Sequence, residues 1–171
     1  MGLKEYNKKR NFNSSIEPKG KIEKSKLRRF VIQFHRARRD HYDLRLEHNG
    51  VLLSWAVPKG LSADENVRRL AVKVEDHPID YINFEGEIPK GNYGAGTVEI
   101  FDKGEYLPIK SISKGLKQGQ IKFILNGEKL CGAWTLVKAE ENNWIAIKID
   151  DKYAIEFLNE KLKGLKVNER D

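Results

Sequence analysis

From Phe30 onward, apolar and polar residues alternate along most of the chain. In Phe30-Val31-Ile32-Gln33-Phe34-His35, one face collects Phe30, Ile32 and Phe34, and the other Val31, Gln33 and His35. This period of two marks a half-buried strand. His41 to Glu47 alternates without a break, with Tyr42, Leu44 and Leu46 on one side and His41, Asp43, Arg45 and Glu47 on the other. Asn49-Gly50 follows, the favoured chemistry of a tight hairpin turn, and a third strand from Val51 to Val57 stops at Pro58. Two hairpin connections in succession predict an antiparallel meander. Leu61 to Val67 reads as a short helix capped by Ser62, with Glu65 three residues on. Arg69 to Glu75 alternates again, with Leu70, Val72 and Val74 expected inward and Arg69, Ala71, Lys73 and Glu75 opposite. After a glycine-rich loop at Gly91 to Gly96, strands are expected at Thr97–Phe101, Gln120–Leu125, Trp134–Lys138 and Trp144–Ile149. Lys152 to Leu162 reads as a terminal helix or partly irregular packing. Seven or eight short strands suggest a sandwich or a barrel, and closure removes exposed edges in a small domain. The expected fold class is therefore mainly β, a small closed antiparallel barrel with short flanking helices.

With 171 residues, 39% hydrophobic and 33% charged, the chain fits one globular domain with an ordinary core. No apolar run approaches the ~18 residues of a membrane span. The N-terminus lacks an apolar signal segment, so secretion is not expected. The single cysteine, Cys131, excludes an internal disulfide and fits a reducing cytoplasm. Set between Leu130 and Gly132, it is expected in the core. The net charge of +7 is uneven: residues 1–39 carry thirteen Lys/Arg against three Glu, and residues 40–171 carry nineteen against twenty-two Asp/Glu. The chain thus divides into a basic N-terminal arm, 1–28, and a near-neutral barrel domain, 29–171. A basic arm suits a polyanionic partner, since Lys and Arg neutralise phosphates and release counterions, although a merely solvated tail has the same composition.

Three of the four histidines fall within fourteen residues, in the pattern His35-x5-His41-x-Asp43-x-Arg45. His41 and Asp43, two apart on a strand, project from one face, ~6–7 Å apart. His35 lies six residues upstream, ~20 Å away on a continuous strand, and joins them only if residues 36–40 turn the chain back. Two imidazoles and a carboxylate form a mixed N/O set suited to manganese, zinc or iron(II) rather than calcium or magnesium. Three protein ligands leave positions for water or substrate. The plain alternative is a solvated polar strand face. Arg45, two residues beyond Asp43, adds a planar fork for phosphate oxygens and points to phosphoryl chemistry. Lys59 and Arg69 flank neighbouring strand ends, each unremarkable alone. Glu75 two residues before His77 sets a carboxylate beside an imidazole, a pairing that raises the pKa as a general acid requires.

These residues carry a resemblance. The runs Phe30-Val31-Ile32-Gln33-Phe34-His35, His41-Tyr42-Asp43-Leu44-Arg45-Leu46-Glu47 and Ser54-Trp55-Ala56-Val57-Pro58-Lys59-Gly60 resemble the 3'-phosphoesterase domain of bacterial ligase D, the multi-domain enzyme of non-homologous end joining. Further matches are Glu75-Asp76-His77-Pro78 with Tyr81, Glu85-Gly86, Ile88-Pro89 and Gly91-x-Tyr93-Gly94-x-Gly96. The similarity runs from about Arg10 to about Lys148, with no polymerase or ligase segment, as in the free-standing archaeal and bacterial members. It implies a hydrolase that removes a 3'-terminal ribonucleoside, leaving a 3'-phosphate, and then removes that phosphate. It implies His35, His41 and Asp43 as ligands of Mn2+, with Co2+ or Zn2+ as other divalent candidates. His77, Arg45, Glu75 and Tyr81 take the catalytic roles in that reading. Arg10, Glu17, Gln33, Lys59 and Arg69 complete the phosphate pocket. The partners implied are DNA or RNA 3' ends on a primer-template, and a separate DNA ligase, for a cytoplasmic monomer without membrane contact. Two departures stand out: Asn11 where the family usually has aspartate, and Asp40 where it commonly has an apolar residue. Two rivals remain: a non-catalytic nucleic-acid-binding barrel, and an iron(II) oxygenase, whose facial triad uses the same ligand types.

Overall fold

The computed structural model describes residues 2–20, 28–152, 155, 156 and 159. Helix α1 (Lys4–Lys8) precedes strands β1 (Arg29–Arg36), β2 (His41–His48), β3 (Val51–Val57) and β4 (Arg68–Pro78). A 3-10 helix (Ile79–Asn83) leads to β5 (Gly86–Ile88) and the long β6 (Gly96–Pro108). Helix α2 (Ile112–Gln118) and strands β7 (Gln120–Gly127), β8 (Cys131–Glu140) and β9 (Asn143–Ile149) follow. All pairings are antiparallel, in the order β1-β2-β3-β4-β9-β8-β7-β6, and β6 returns to β1. Eight strands thus close a barrel, with β5 added along the first residues of β6. The β2–β3 hairpin turns at Asn49-Gly50, both in the left-handed region (φ 49° and 82°), as that dipeptide predicts. Among the described residues no helix is long and apolar enough to cross a membrane.

The barrel interior is filled by one face of the alternating strands: Phe30, Ile32, Leu44, Leu46, Trp55, Phe123, Trp134 and Trp144 among others. Trp55 and Trp144 meet edge to face, centroids 5.9 Å apart. Each large aromatic removes ~150–250 Å2 from water, ~4–6 kcal/mol before conformational entropy is subtracted. A second apolar cluster lies on the outer face of β1 and β3, where Val31 and Leu52 pack with Leu3, Tyr6, Ile82, Ile88 and Val98. The first strands are therefore buried on both faces, not on one, because residues 2–20, the 3-10 helix and β5 cover them.

Four expectations are corrected. On β4 it is Ala71 that enters the core, fully buried, while Leu70 is 44% exposed. Pairing sets this: Trp55 opposes Lys73 and Trp144 opposes Ala71, so the two indoles leave room inside for a methyl group and a lysine stem only. Lys73 lies with Nζ 5.1 Å over the Trp55 ring, and burial lowers its pKa despite nearby Asp76. Residues 61–67 form turns, not a helix; Ser62 Oγ and Asp64 Oδ1 accept the backbone N–H groups of Asp64 and Asn66, side-chain turn chemistry that competes with a helical ladder. Cys131 is exposed on the outward face of β8, where Trp134 and Leu136 occupy the inward positions. Strand β6 begins as expected but continues to Pro108, long enough to pair with β1, β5 and β7. The terminal helix expected over Lys152 to Leu162, and the arm residues 21–27, lie mostly or wholly outside the described residues.

Candidate active site

The β1–β2 hairpin does what the histidine pattern required. His35 stands directly opposite His41, and Gln33 opposite Asp43, so all four side chains share the outer face of the barrel. One ligand atom from each of His35, His41 and Asp43 lies within 4.8 Å of the others. Asp43 Oδ2 is 3.3 Å from His41 Nε2 and 3.6 Å from His35 Nδ1. Each ring donates its other nitrogen to a backbone carbonyl: His35 Nε2 to Gly94 at 2.7 Å and His41 Nδ1 to Arg39 at 2.8 Å. In the neutral rings those bonds leave the two free lone pairs on the nitrogens that face Asp43, and either nitrogen, when it carries a proton, donates it to that carboxylate. The donor set therefore fits a divalent cation of the N/O-preferring transition series. Burial acts to raise the Asp43 pKa, but the Arg45 guanidinium and the two imidazoles outweigh it and hold the carboxyl well below the usual range.

Arg45 is fixed on three sides. Its Nε donates to Gln33 Oε1 at 2.7 Å, its Nη2 lies 3.4 Å from Asp43 Oδ2, and its guanidinium rests 4.9 Å from the Tyr81 ring centroid. Gln33 is anchored in turn by donating to the carbonyls of Tyr81 and Phe84. Among the described residues, Arg45 Nη1 is buried and has no hydrogen-bond partner. A buried guanidinium donor without an acceptor is costly, and an anion oxygen is the natural occupant.

The N-terminal residues build the opposite wall. Helix α1 is short, but Tyr6 is fully buried, edge-on to His77 and Tyr81. Arg10 stacks on Tyr6, 3.9 Å from its centroid, and pairs with Glu17 at 3.0 Å and Glu75 at 3.2 Å. Tyr81 donates its hydroxyl to Glu17 at 2.9 Å. A bulge in β4, between the pairs Ser54–Val74 and Leu52–His77, inserts one residue and turns both Glu75 and His77 toward this cavity.

The expected Glu75–His77 carboxylate–imidazole pair is not formed. The Glu75 carboxylate binds Arg10 and Lys9, and only its backbone carbonyl receives His77 Nδ1–H, at 2.9 Å. His77 Nε2 then accepts from Arg10 Nη2 at 3.1 Å. Burial first, then Arg45 and Arg10, push the His77 pKa well below its ordinary value rather than above it. His77 is neutral at neutral pH. Because its folded pKa is depressed, the unfolded chain takes up protons below about pH 6.5 that the folded chain refuses, so stability falls as the pH drops through that value. A His77→Gln variant should show a shallower loss of melting temperature between neutral and acidic pH, read by thermal unfolding across a pH series.

The cavity these groups line has a volume of ≈ 660 Å3. Ten of the twelve residues singled out from sequence lie in it or hold its walls. Lys59 and Arg69 do not: Lys59 is exposed on the turn after β3, and Arg69 shares the inward face of β4 with Ala71. Sequence reading missed Tyr6, the Gly94 carbonyl, Tyr93 and the side chains of Arg38 and Arg39, of which Tyr93, Gly94, Arg38 and Arg39 line the cavity. The motif Gly91-x-Tyr93-Gly94 was the available signal for the loop.

The chain is similar to known proteins. A sequence profile of the DNA Ligase D 3'-phosphoesterase domain matches residues 33–138. The "Multifunctional non-homologous end joining protein LigD" of Pseudomonas aeruginosa is 46% identical over 156 residues, 87% of this chain and 19% of that protein. The protein of the same name from Mycolicibacterium smegmatis is 47% identical over 130 residues, 72% of this chain and 17% of its own length. The "Multifunctional non-homologous end joining DNA repair protein LigD" of Mycobacterium tuberculosis is 44% identical over 133 residues, 76% of this chain and 17% of that protein. The chain spans less than a fifth of the length of each of these relatives.

Proposed function

Because the chain belongs to the DNA ligase D 3'-phosphoesterase domain family, we propose that it is a metal-dependent hydrolase processing the 3' ends of DNA or RNA in break repair. The observation that carries this reading is the buried Arg45 Nη1, unpartnered among the described residues, beside the convergent His35, His41 and Asp43. When bound by those three, a cation such as Mn2+ supplies Lewis acidity toward phosphoryl oxygen and water. Arg45 binds one non-bridging oxygen through Nη1 while Gln33 and Asp43 keep its plane fixed. Such fixed donors matter most as negative charge grows on phosphorus oxygens during attack. Arg10, held by Glu17 and Glu75, offers a second cation whose contact to His77 an incoming phosphate can replace. The same phosphate raises the proton affinity of His77, so this imidazole can charge and protonate the leaving oxygen only once substrate is seated.

The chemistry balances as hydrolysis. Water adds to phosphorus, the P–O bond to the terminal ribonucleoside breaks, and the leaving oxygen gains a proton. A 3'-phosphate remains, and a second hydrolysis gives inorganic phosphate and a 3'-OH, the end that a DNA ligase requires. A primer-template bearing one 3'-ribonucleotide, incubated with protein and Mn2+, should yield a primer one nucleoside shorter, first with a 3'-phosphate and then with a 3'-OH on a denaturing gel. Chelation should stop both steps and added Mn2+ restore them. Salt-sensitive binding with an unaltered primer end would instead support a non-catalytic binding barrel.

A further inference from the structure

The cations deepest in the cavity are matched by carboxylates: Arg45 by Asp43, and Arg10 by Glu17 and Glu75. Two others that line it are not. Arg38 and Arg39 are exposed on the turn joining β1 to β2, and among the described residues neither side chain has an ion-pair or hydrogen-bond partner. Arg36, at the start of that turn, differs: it lies over the Phe34 ring and 3.9 Å from Glu99. The turn is held close to the chemistry. It begins after His35 and ends at His41, which pair across the hairpin, and the Arg39 carbonyl receives the His41 Nδ1–H. Two unmatched guanidinium groups on a backbone tied to the metal-ligand set give a local excess of positive charge beside the cavity. The occupant must be anionic and must reach beyond the phosphate at Arg45. A strand whose 3' end is seated at Arg45 meets that need, because its next internucleotide phosphates leave through the open side of the cavity. Tyr93, half exposed and lining the same cavity, carries Lys9 Nζ 4.8 Å from its ring centroid, and this aromatic beside a cation suits a base next to a phosphate and favours a nucleotide strand over a simple polyanion.

We propose that Arg38 and Arg39 form a docking site for the backbone phosphates immediately inward of the 3' end on the processed strand. This rests on the phosphoesterase reading and names how that site holds a polynucleotide. Such contacts position the strand without reading sequence. Fluorescence anisotropy of a labelled primer-template ending in a 3'-phosphate, with Mn2+ present and KCl varied, tests it. Each phosphate contact adds about 0.9 to the slope of log affinity against log salt, so an Arg38→Gln/Arg39→Gln variant should show a slope smaller by about 1–2. At the lowest salt its binding should be weaker by about tenfold or more. Thermal unfolding reports whether the double variant folds, and Arg38→Gln alone, expected to give roughly half the slope change, provides the same reading if it does not. A folded variant with the parental slope would overturn the proposal, as would a parent protein that fails to bind the duplex. End processing of the same duplex is followed in parallel. A parent protein that binds with the expected slope change on substitution, yet leaves the 3' end intact, would support the docking site and overturn the phosphoesterase reading.

Discussion

An Asp43→Asn variant loses 3'-end processing, with kcat falling by about a hundredfold to a thousandfold or more. Asparagine keeps the shape of the side chain but removes the one negative charge that His35, His41 and Arg45 all approach. Two consequences follow. The proposed cation site drops from a charged N2O set to a neutral one, which weakens binding of a hard divalent ion. Arg45 also loses its ion-pair partner, and its Nη2 is freed to leave the plane in which Nη1 awaits a phosphate oxygen. Raising Mn2+ should recover part of the rate if weakened cation binding dominates. The check is steady-state kinetics on a 3'-phosphate primer across an Mn2+ series. Activity within a fewfold of the parent would refute the assignment.

The second large effect is at Arg45. Arg45→Lys keeps the charge but replaces a planar fork by a single ammonium point, which cannot serve Gln33, Asp43 and a phosphate together. Turnover should again fall by about a hundredfold to a thousandfold, with the loss mainly in kcat. Arg45→Ala should go further and damage the fold, because it leaves the buried Asp43 carboxylate without its guanidinium. Breaking a buried pair in this way costs about 3–5 kcal/mol, a fall in melting temperature of ~6–20 °C for a chain of this size. Comparing the two variants by single-turnover kinetics and thermal unfolding separates the chemical role from the structural one.

Much of this architecture was legible in the chain. Strict alternation in Phe30–His35 and His41–Glu47 announces strands, and Asn49-Gly50 announces the turn between β2 and β3. The convergence of His41 and Asp43 follows from their spacing alone. The position of His35 did not, since it depended on a turn within residues 36–40 that polar composition permits but does not require. Other features come from contacts distant in sequence. The bulge that presents His77 arises from pairing with β3 and leaves no mark on the alternation of β4 itself. The inward face of β4 was misread because Val72 and Val74 are larger than Ala71, whereas the space left by Trp55 and Trp144 decides what fits. The N-terminal wall is the hardest case. Tyr6, Arg10 and Glu17 follow no period, and their partners Glu75, His77 and Tyr81 lie more than sixty residues away. That distance also hid the competition for Glu75, whose carboxylate goes to Arg10 and Lys9 and not to the imidazole two residues along.

Crystals soaked in manganese chloride, with diffraction recorded at the manganese absorption edge, offer the most direct test of the central proposal. A single strong anomalous peak should lie within coordination distance of His35 Nδ1, His41 Nε2 and the Asp43 carboxylate, with Arg45 Nη1 facing the same space. A peak seated elsewhere, or none at these three side chains under saturating manganese, would contradict it.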